Sequence, residues 1–458
     1  MVIALKRFSF LASIATLTVL NACATISLSD KSGEFYINNI PSSAELHRIN
    51  YDLTFSLGFT NRIQTKKKNE VNFVAFYGTG WLIDWKEGNQ YQPFRVYLAT
   101  NVHVAAGLKN EADYLPYSQP DAELGWTVDF RLGKYTNVKD FVSPNEIGLP
   151  NGAQAFVSAQ TSTIPKTAFT AHDFVDYTLP QEQKGKEQKE QQWMKNSQTK
   201  DTDVHPYADF AVLEILLFPD SSTDRKIFNH FIQPAIRAYK QLGDSLNIFA
   251  NQTLDQPKHN RYYLLGYPFL RERGQSLFVS QTGEEKEILG QKAQVPNEDP
   301  IVSLRVPSKP TLSRNKGDDF NGSSWAWNYD HTKNFAFNRK FLGKDYQIYG
   351  KGIGINRSDL GGGASGSLVL NDKKQIAGIY FGASSSGPNE WGLAQLLRWR
   401  TRSGLNEEAV SVVYDLIFGN PNTRKYYAQF AKKNNTHLYK QIVKSRSAEF
   451  RFVENSNN

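Results

Sequence analysis

The chain has 458 residues, 40% of them hydrophobic, enough to bury one large core and, at this length, to divide into two domains. Its net charge of +8 comes from scattered lysines and arginines, densest in the polar 184–200 stretch and the C-terminal tail, with no nucleic-acid motif beside them. That argues against a nucleic-acid partner and for a solvated basic surface that tolerates anionic membranes, while a single cysteine excludes a disulfide framework.

Lys6 and Arg7 precede an apolar segment, 8–20, that is too short to span a bilayer. Leu20-Asn21-Ala22-Cys23 follows and resembles a bacterial lipobox. Residues 1–23 therefore read as a lipoprotein signal peptide, with Cys23 as the lipidated residue, and the protein is expected on the extracellular face of the cell membrane. Residues 24–50 are polar and read as a tether. From Tyr51 strands dominate: 73–84 has the aromatic and β-branched content of a buried hairpin pair interrupted by Gly78 and Gly80, and 94–100 is a further strand before a short helical turn at 105–108. The stretch 110–205 reads as an insertion. It holds one candidate strand, 126–132, and a Gln/Lys/Glu-rich run, 181–192, that reads as a disordered or helical surface excursion.

Helical spacing predicts a helix over 228–242. Arg261 to Pro268 opens a second strand-rich region that continues to about residue 395, with 317–340 read as loop. In the tail, Asn406 is expected to cap a helix with Ala409, Val412, Val413, Leu416 and Ile417 as its apolar stripe and Gly419 and Pro421 as its end. A basic helical stretch over 423–446 follows.

Three segments carry chemistry. His103 ends the strand Tyr97-Leu98-Ala99-Thr100-Asn101-Val102-His103, Asp209 opens the apolar run Asp209-Phe210-Ala211-Val212-Leu213, and Ser365 follows the glycines of Gly361-Gly362-Gly363-Ala364-Ser365-Gly366. Acyl transfer needs a hydroxyl whose proton leaves as it attacks. His103 is the candidate base, Asp209 the group that fixes its tautomer, Ser365 the nucleophile. The glycines let the amides of Gly363 and Ser365 point at one spot, an oxyanion hole. His172 and His205 fit worse, reading as residues of polar loops in the insertion, as does His331 in an aperiodic aromatic stretch. An α/β-hydrolase esterase is a poor third option, since that class runs Ser, Asp, His and needs alternating helices that this chain lacks.

Thr100-Asn101-Val102-His103-Val104, Asp209 to Leu213, Gly266-Tyr267-Pro268, Gly363 to Ser367 and Gln375 to Gly382 together resemble trypsin-like serine peptidases, and more closely their glutamyl-endopeptidase and HtrA branches. With the lipobox, the chain resembles a mollicute surface lipoprotein of the trypsin-like peptidase family that includes the mycoplasma immunoglobulin protease. The resemblance implies a mainly β, two-barrel fold: a first barrel in 51–255 with the insertion, a second in 256–400 with the nucleophile loop, and a helical extension in 401–458. It also implies no cofactor and no metal, a protein substrate such as host immunoglobulin, and room for a membrane-bound partner that delivers it.

The family's pocket-lining strand falls on Tyr380, Phe381 and Gly382. Asp359, six residues before Ser365, is either a pocket-floor carboxylate that selects basic residues or a loop residue capping the turn. Two departures stand out: Ala364 replaces the usual Asn or Asp, and no serine lies near Tyr380 or Phe381 to support Asp209, so that support is expected from backbone. Two functions remain open, an active lipid-anchored serine endopeptidase and a catalytically silent lipoprotein that binds host proteins or serves as a surface antigen.

Overall fold

The computed structural model describes residues 45–64, 71–118, 125–136, 155–175, 205–243 and 246–250, short strands within 262–303, and 338–356, 360–371, 373–384, 391–399 and 413–454. A helix, α1 (Glu45–Leu53), leads directly into β1 (Thr54–Gln64), which pairs with β2 (Val71–Lys86). Next come β3 (Phe94–Thr100), a single helical turn α2 (Val102–Ala105), β4 (Trp126–Thr136), β5 (Ala155–Gln160), β6 (Lys166–His172) and β7 (His205–Leu217). Helices α3 (Ser222–Ile227) and α4 (Gln233–Leu242) are joined by a π-helical turn, Phe228–Ile232.

The second half supplies β8 (Tyr262–Gly266), β9 (Val279–Gln281), β10 (Ile301–Ser303), the hairpin β11 (Asn338–Phe341) and β12 (Lys344–Ile348), then β13 (Lys351–Asn356), β14 (Leu368–Asn371), β15 (Ile376–Ser384) and β16 (Trp391–Leu396). Two helices, α5 (Tyr427–Asn434) and α6 (His437–Glu454), close the described chain.

Two sheets result. The first runs β11-β12-β7-β3-β2-β1-β4-β5, with β6 also on β7, and the second runs β9-β8-β14-β15-β16-β13-β10. Pairing is antiparallel throughout these two sheets except where β12 joins β7. One core joins the two sheets, built on large side chains removed from water, among them Trp81, Trp85, Tyr97, Phe130 and Phe210. Each such aromatic side chain contributes several kcal/mol of transfer free energy, at about 25 cal/mol per Å² of apolar area buried.

A buried carboxyl fastens the tail to this core. Asp84 on β2 accepts from the amides of Trp85 and Leu438 and from the Tyr427 hydroxyl, so it sits at the N-terminus of α6, where the helix dipole favours it. Burial pushes this carboxyl up to about 7, against the opposing hydrogen bonds from Leu438, Trp85 and Tyr427.

Several expectations are corrected. The segment 73–84 is not a hairpin pair but part of one sixteen-residue strand, because Gly78 and Gly80 stay in the ladder opposite Leu57 and Phe55. Residues 45–50 are helix rather than tether, and strand begins at Thr54. Strands β4, β5 and β6 lie inside the supposed insertion yet belong to the first sheet, with β4 on β1 and β6 on β7. Accordingly His172 and His205 are strand residues, not loop residues.

Residues 338–340, read as loop, are strand. Leu416 and Ile417 are not in a helix: they sit in a turn whose amides at Ile417 and Phe418 bond the Asp415 carboxylate, itself paired with Arg398 at 2.7 Å. The 228–242 helix is present, and the basic stretch becomes two helices broken at Asn435, which takes the left-handed conformation at φ 50°. The 181–192 run, Asn406 and His331 lie outside the described residues.

Candidate active site

Strand β3 stops at Thr100, and Asn101 turns the chain into α2 with extended backbone angles. Val102, Val104 and Ala105 are buried, which leaves His103 as the member of that turn aimed away from the core. Strand β7 runs antiparallel to β3, its last pair Thr100 opposite Ala211, so Asp209 lies two residues beyond the ladder, beside α2. The Asn101 side-chain amide locks this joint by donating to the Asp209 carbonyl at 2.6 Å.

His103 and Asp209 meet twice. The His103 Nδ1 lies 2.7 Å from Asp209 Oδ2, and the His103 backbone N–H donates to Oδ1 at 3.1 Å. Burial pushes the Asp209 carboxyl up, but the charge and hydrogen bonds of His103, together with the charge of Arg339, more than reverse this and hold it below its ordinary range. An ionised acceptor at Nδ1 places the ring proton there and leaves Nε2 as the basic nitrogen.

The glycine turn is built against β2. The Thr79 N–H donates to the Ser365 carbonyl at 2.8 Å, and its hydroxyl donates to the Gly363 carbonyl at 2.9 Å while accepting from the Tyr267 amide at 3.0 Å. Gly363 and Gly366 take φ values of 94° and 98°, a region where a side chain is disfavoured. At Gly366 a Cβ would also collide with the Thr79 carbonyl oxygen, at 1.9 Å, and approach Thr100 Oγ1, at 2.7 Å. The same contact measures how near the turn lies to the histidine, since Thr100 is three residues before His103.

Ala364 is fully buried, so the usual Asn or Asp gives way here to an apolar plug. Ser365 itself is half-buried. Among the described residues its hydroxyl makes no hydrogen bond to His103, and the amides of Gly363 and Ser365 donate to no acceptor.

Behind the turn, the Gly366 amide donates to the Tyr380 carbonyl at 2.7 Å and the Tyr380 amide to the Ser367 carbonyl at 2.9 Å. The Tyr380 hydroxyl is turned inward, donating to the Leu360 carbonyl at 2.7 Å, and Phe381 is buried as well. Gly382, next on this strand, is half-buried. Asp359 and Cys23 lie outside the described residues. Among the described residues no group of three or more His, Cys, Asp or Glu side chains is placed to hold a metal ion, and no helix is long and apolar enough to cross a membrane.

Sequence reasoning brought out His103, Asp209 and Ser365 and overlooked two supports. Thr79, in Gly78-Thr79-Gly80 ahead of an apolar run, carried a usable signal: a hydroxyl between glycines at a close backbone approach. Arg339, in a stretch read as loop, carried none.

A family model described as Mycoplasma immunoglobulin protease matches residues 44–382. An uncharacterized lipoprotein of Mycoplasma pneumoniae is 60% identical over 437 residues, covering 94% of this chain and all of the relative. A lipoprotein of Mycoplasma genitalium is 36% identical, covering 93% and 84%. Among solved structures, that of the mycoplasma MIB and MIP proteins is 16% identical with a TM-score of 0.44, covering 80% of this chain and 60% of that one. An HtrA-type protease with a decapeptide is 10% identical with a TM-score of 0.30, covering 77% and 63%.

Proposed function

As the chain belongs to the Mycoplasma immunoglobulin protease family, we propose that it is a serine endopeptidase that uses Ser365, His103 and Asp209 to cut host proteins, immunoglobulin among them. It is a lipid-anchored lipoprotein of the cell surface with a mainly β, trypsin-like fold and a helical C-terminal region. Cys23 is the residue we assign to the lipid.

The observation that supports this reading most is the doubly bonded His103–Asp209 pair three residues from a strand end that the Ser365 turn touches. In the reaction, Ser365 Oγ attacks the scissile carbonyl and its proton passes to His103 Nε2. Asp209 stabilises the imidazolium so formed. The oxyanion is held by the Gly363 and Ser365 amides, which have no competing acceptor among the described residues. Collapse breaks the C–N bond, the amine leaves with the His103 proton, and water repeats the sequence on the acyl-enzyme.

The missing Ser365–His103 hydrogen bond favours a second reading, a silent binding lipoprotein, although such bonds often tighten only when substrate is bound. Labelling by a fluorophosphonate probe separates the two. We expect labelling of the wild type and none of Ser365→Ala; a folded wild type that resists the probe while binding immunoglobulin would establish the binder.

A further inference from the structure

The two edges of strand β2 are treated differently. On one, β1 pairs with it from Val71 to Trp81 without a shift in register. On the other, β3 takes over only from Trp81 onward, so 71–78 has no strand beside it among the described residues. The orientation of the backbone there is set by Thr79. Its N–H reaches the Ser365 carbonyl and its own carbonyl accepts from Thr100, both on the side away from β1. In an unbroken antiparallel ladder every second residue repeats that orientation. Ala75 and Phe73 therefore turn their N–H and C=O groups to the open edge, where no hydrogen-bond partner meets them among the described residues.

This edge carries none of the devices that keep strands apart. Val71-Asn72-Phe73-Val74-Ala75-Phe76-Tyr77 has no charge, no proline and no bulge, whereas open edges are ordinarily guarded by one of these. Phe73, Ala75 and Tyr77 share a face with Thr79, and the side chains of Phe73 and Tyr77 are exposed, Phe73 to 62%. Outward backbone groups and apolar side chains thus form one strip. It starts at the strand position that holds the nucleophile turn and runs about 20 Å to Phe73, at about 3.3 Å per residue.

We infer that the outer edge of β2, from Tyr77 to Phe73, is an exosite that takes an extended segment of a polypeptide substrate as an added strand, on the leaving side of the cut bond. The inference rests on Ser365 acting as the nucleophile. The leaving amine receives its proton from His103, so the departing segment starts on the α2 side of the turn. There α2 packs against β2: a Cβ on Gly78 would lie 2.6 Å from Cγ1 of Val104, the residue after His103. The segment is thereby delivered to the edge, where Ala75 and Phe73 offer it backbone hydrogen bonds at every second residue. A chain reaches Phe73 only if about six residues beyond the cut are extended, and a folded domain whose strands are already paired does not supply them. The substrate class is an unpaired, extended stretch of polypeptide with apolar side chains at alternate positions, to meet Tyr77 and Phe73.

The test uses the full chain carrying Ser365→Ala. The probe is reduced, carboxymethylated lactalbumin, a permanently unfolded chain, set against native lactalbumin. Residue-resolved hydrogen exchange should show the Phe73 and Ala75 amides slowed about tenfold or more by the unfolded probe and unmoved by the native one. The amides of Val74 and Phe76, already bonded to β1, should not change. Ala75→Pro removes an outward N–H at an edge position, where proline is tolerated, and should weaken binding of the unfolded probe about tenfold. With Ser365 restored, Ala75→Pro should lower kcat/KM on that probe about tenfold more than it lowers fluorophosphonate labelling, which needs no chain on the leaving side. If Ala75→Pro does not fold, Phe73→Lys, which sets a guarding charge on the edge, replaces it. Amides that are not slowed, or equal losses in hydrolysis and labelling, would overturn the inference. So would slowing that appears without probe as the protein concentration rises, which would make the edge an interface between two copies. A wild type that resists labelling ends the peptidase reading, whereas exchange in Ser365→Ala still decides whether the edge takes a strand.

Discussion

Two histidine–aspartate pairs are carried by the same sheet, and each is closed by a contact of 2.7 Å from Nδ1 to a carboxylate oxygen. One joins His103 to Asp209, the other His205 to Asp173. The first has an aspartate side chain only 3% exposed and a histidine 13% exposed; in the second the values are 28% and 24%. Asp209 accepts twice from one residue, ring and backbone, so the imidazole is fixed in place as well as in tautomer. Asp173 divides itself among His205, the Tyr346 hydroxyl at 2.7 Å and Lys425 at 4.0 Å. The chemistry of the contact is the same in both places; burial and how each carboxylate shares its bonds distinguish them.

The sharpest way to break the comparison is to remove the inner histidine or the serine. His103→Ala and Ser365→Ala should each lower peptide hydrolysis by roughly a millionfold, in practice to nothing detectable, with the double variant hardly worse than either single one. Turnover assays with purified protein measure this, and activity surviving Ser365→Ala would end the serine-peptidase reading. Asp209→Asn should cost roughly a thousandfold to ten-thousandfold, because the ring survives in the wrong tautomer.

The next expectation concerns stability in acid. Both carboxyls titrate below their ordinary range in the folded protein: Asp209 as described, and Asp173 because hydrogen bonds from Tyr346 and His205 outweigh the effect of its partial burial. Such groups stabilise fully above about pH 4 and lose that contribution as the pH falls through their folded values. Urea midpoints taken from pH 5 downward should fall less steeply in Asp209→Asn than in the wild type. Asp173→Asn should show a smaller flattening, since solvent screens the outer pair. The smallest effect belongs to His205→Ala: activity within about twofold of wild type and a loss of stability of about 1 kcal/mol or less. A collapse of activity there would mean that the outer pair is not the bystander its exposure indicates.

The inner pair was legible in the sequence because each residue stood at the end of an apolar, β-branched run, and the serine because three glycines preceded it. The mainly β class was legible for the same reason. Other features were hidden by how strands and turns disguise themselves. Gly78 and Gly80 looked like a break because glycine weakens an isolated strand, yet packed in the ladder they stay extended. Strands β4, β5 and β6 were concealed by the polar stretches between them. Leu416 and Ile417 matched helical spacing, but the paired Asp415 and Arg398 hold them in a turn. Nothing in local pattern could connect Asp84 to Leu438, because they lie 354 residues apart and meet only once the tail helix packs on the core.

Thr79 bonds Gly363 across 284 residues of chain and also bonds Ser365, while its carbonyl accepts from Thr100 at 2.8 Å. Seen in time rather than in space, this is an assembly checkpoint. A chain emerging from its amino end has had His103 and Asp209 made long before residue 363 exists, and contacts of such long range close late. The strand that anchors the nucleophile turn thus waits for it, and an unfinished or half-docked chain carries a base with nothing to activate. The peptidase proposed here would have no active form in which to digest itself while being made.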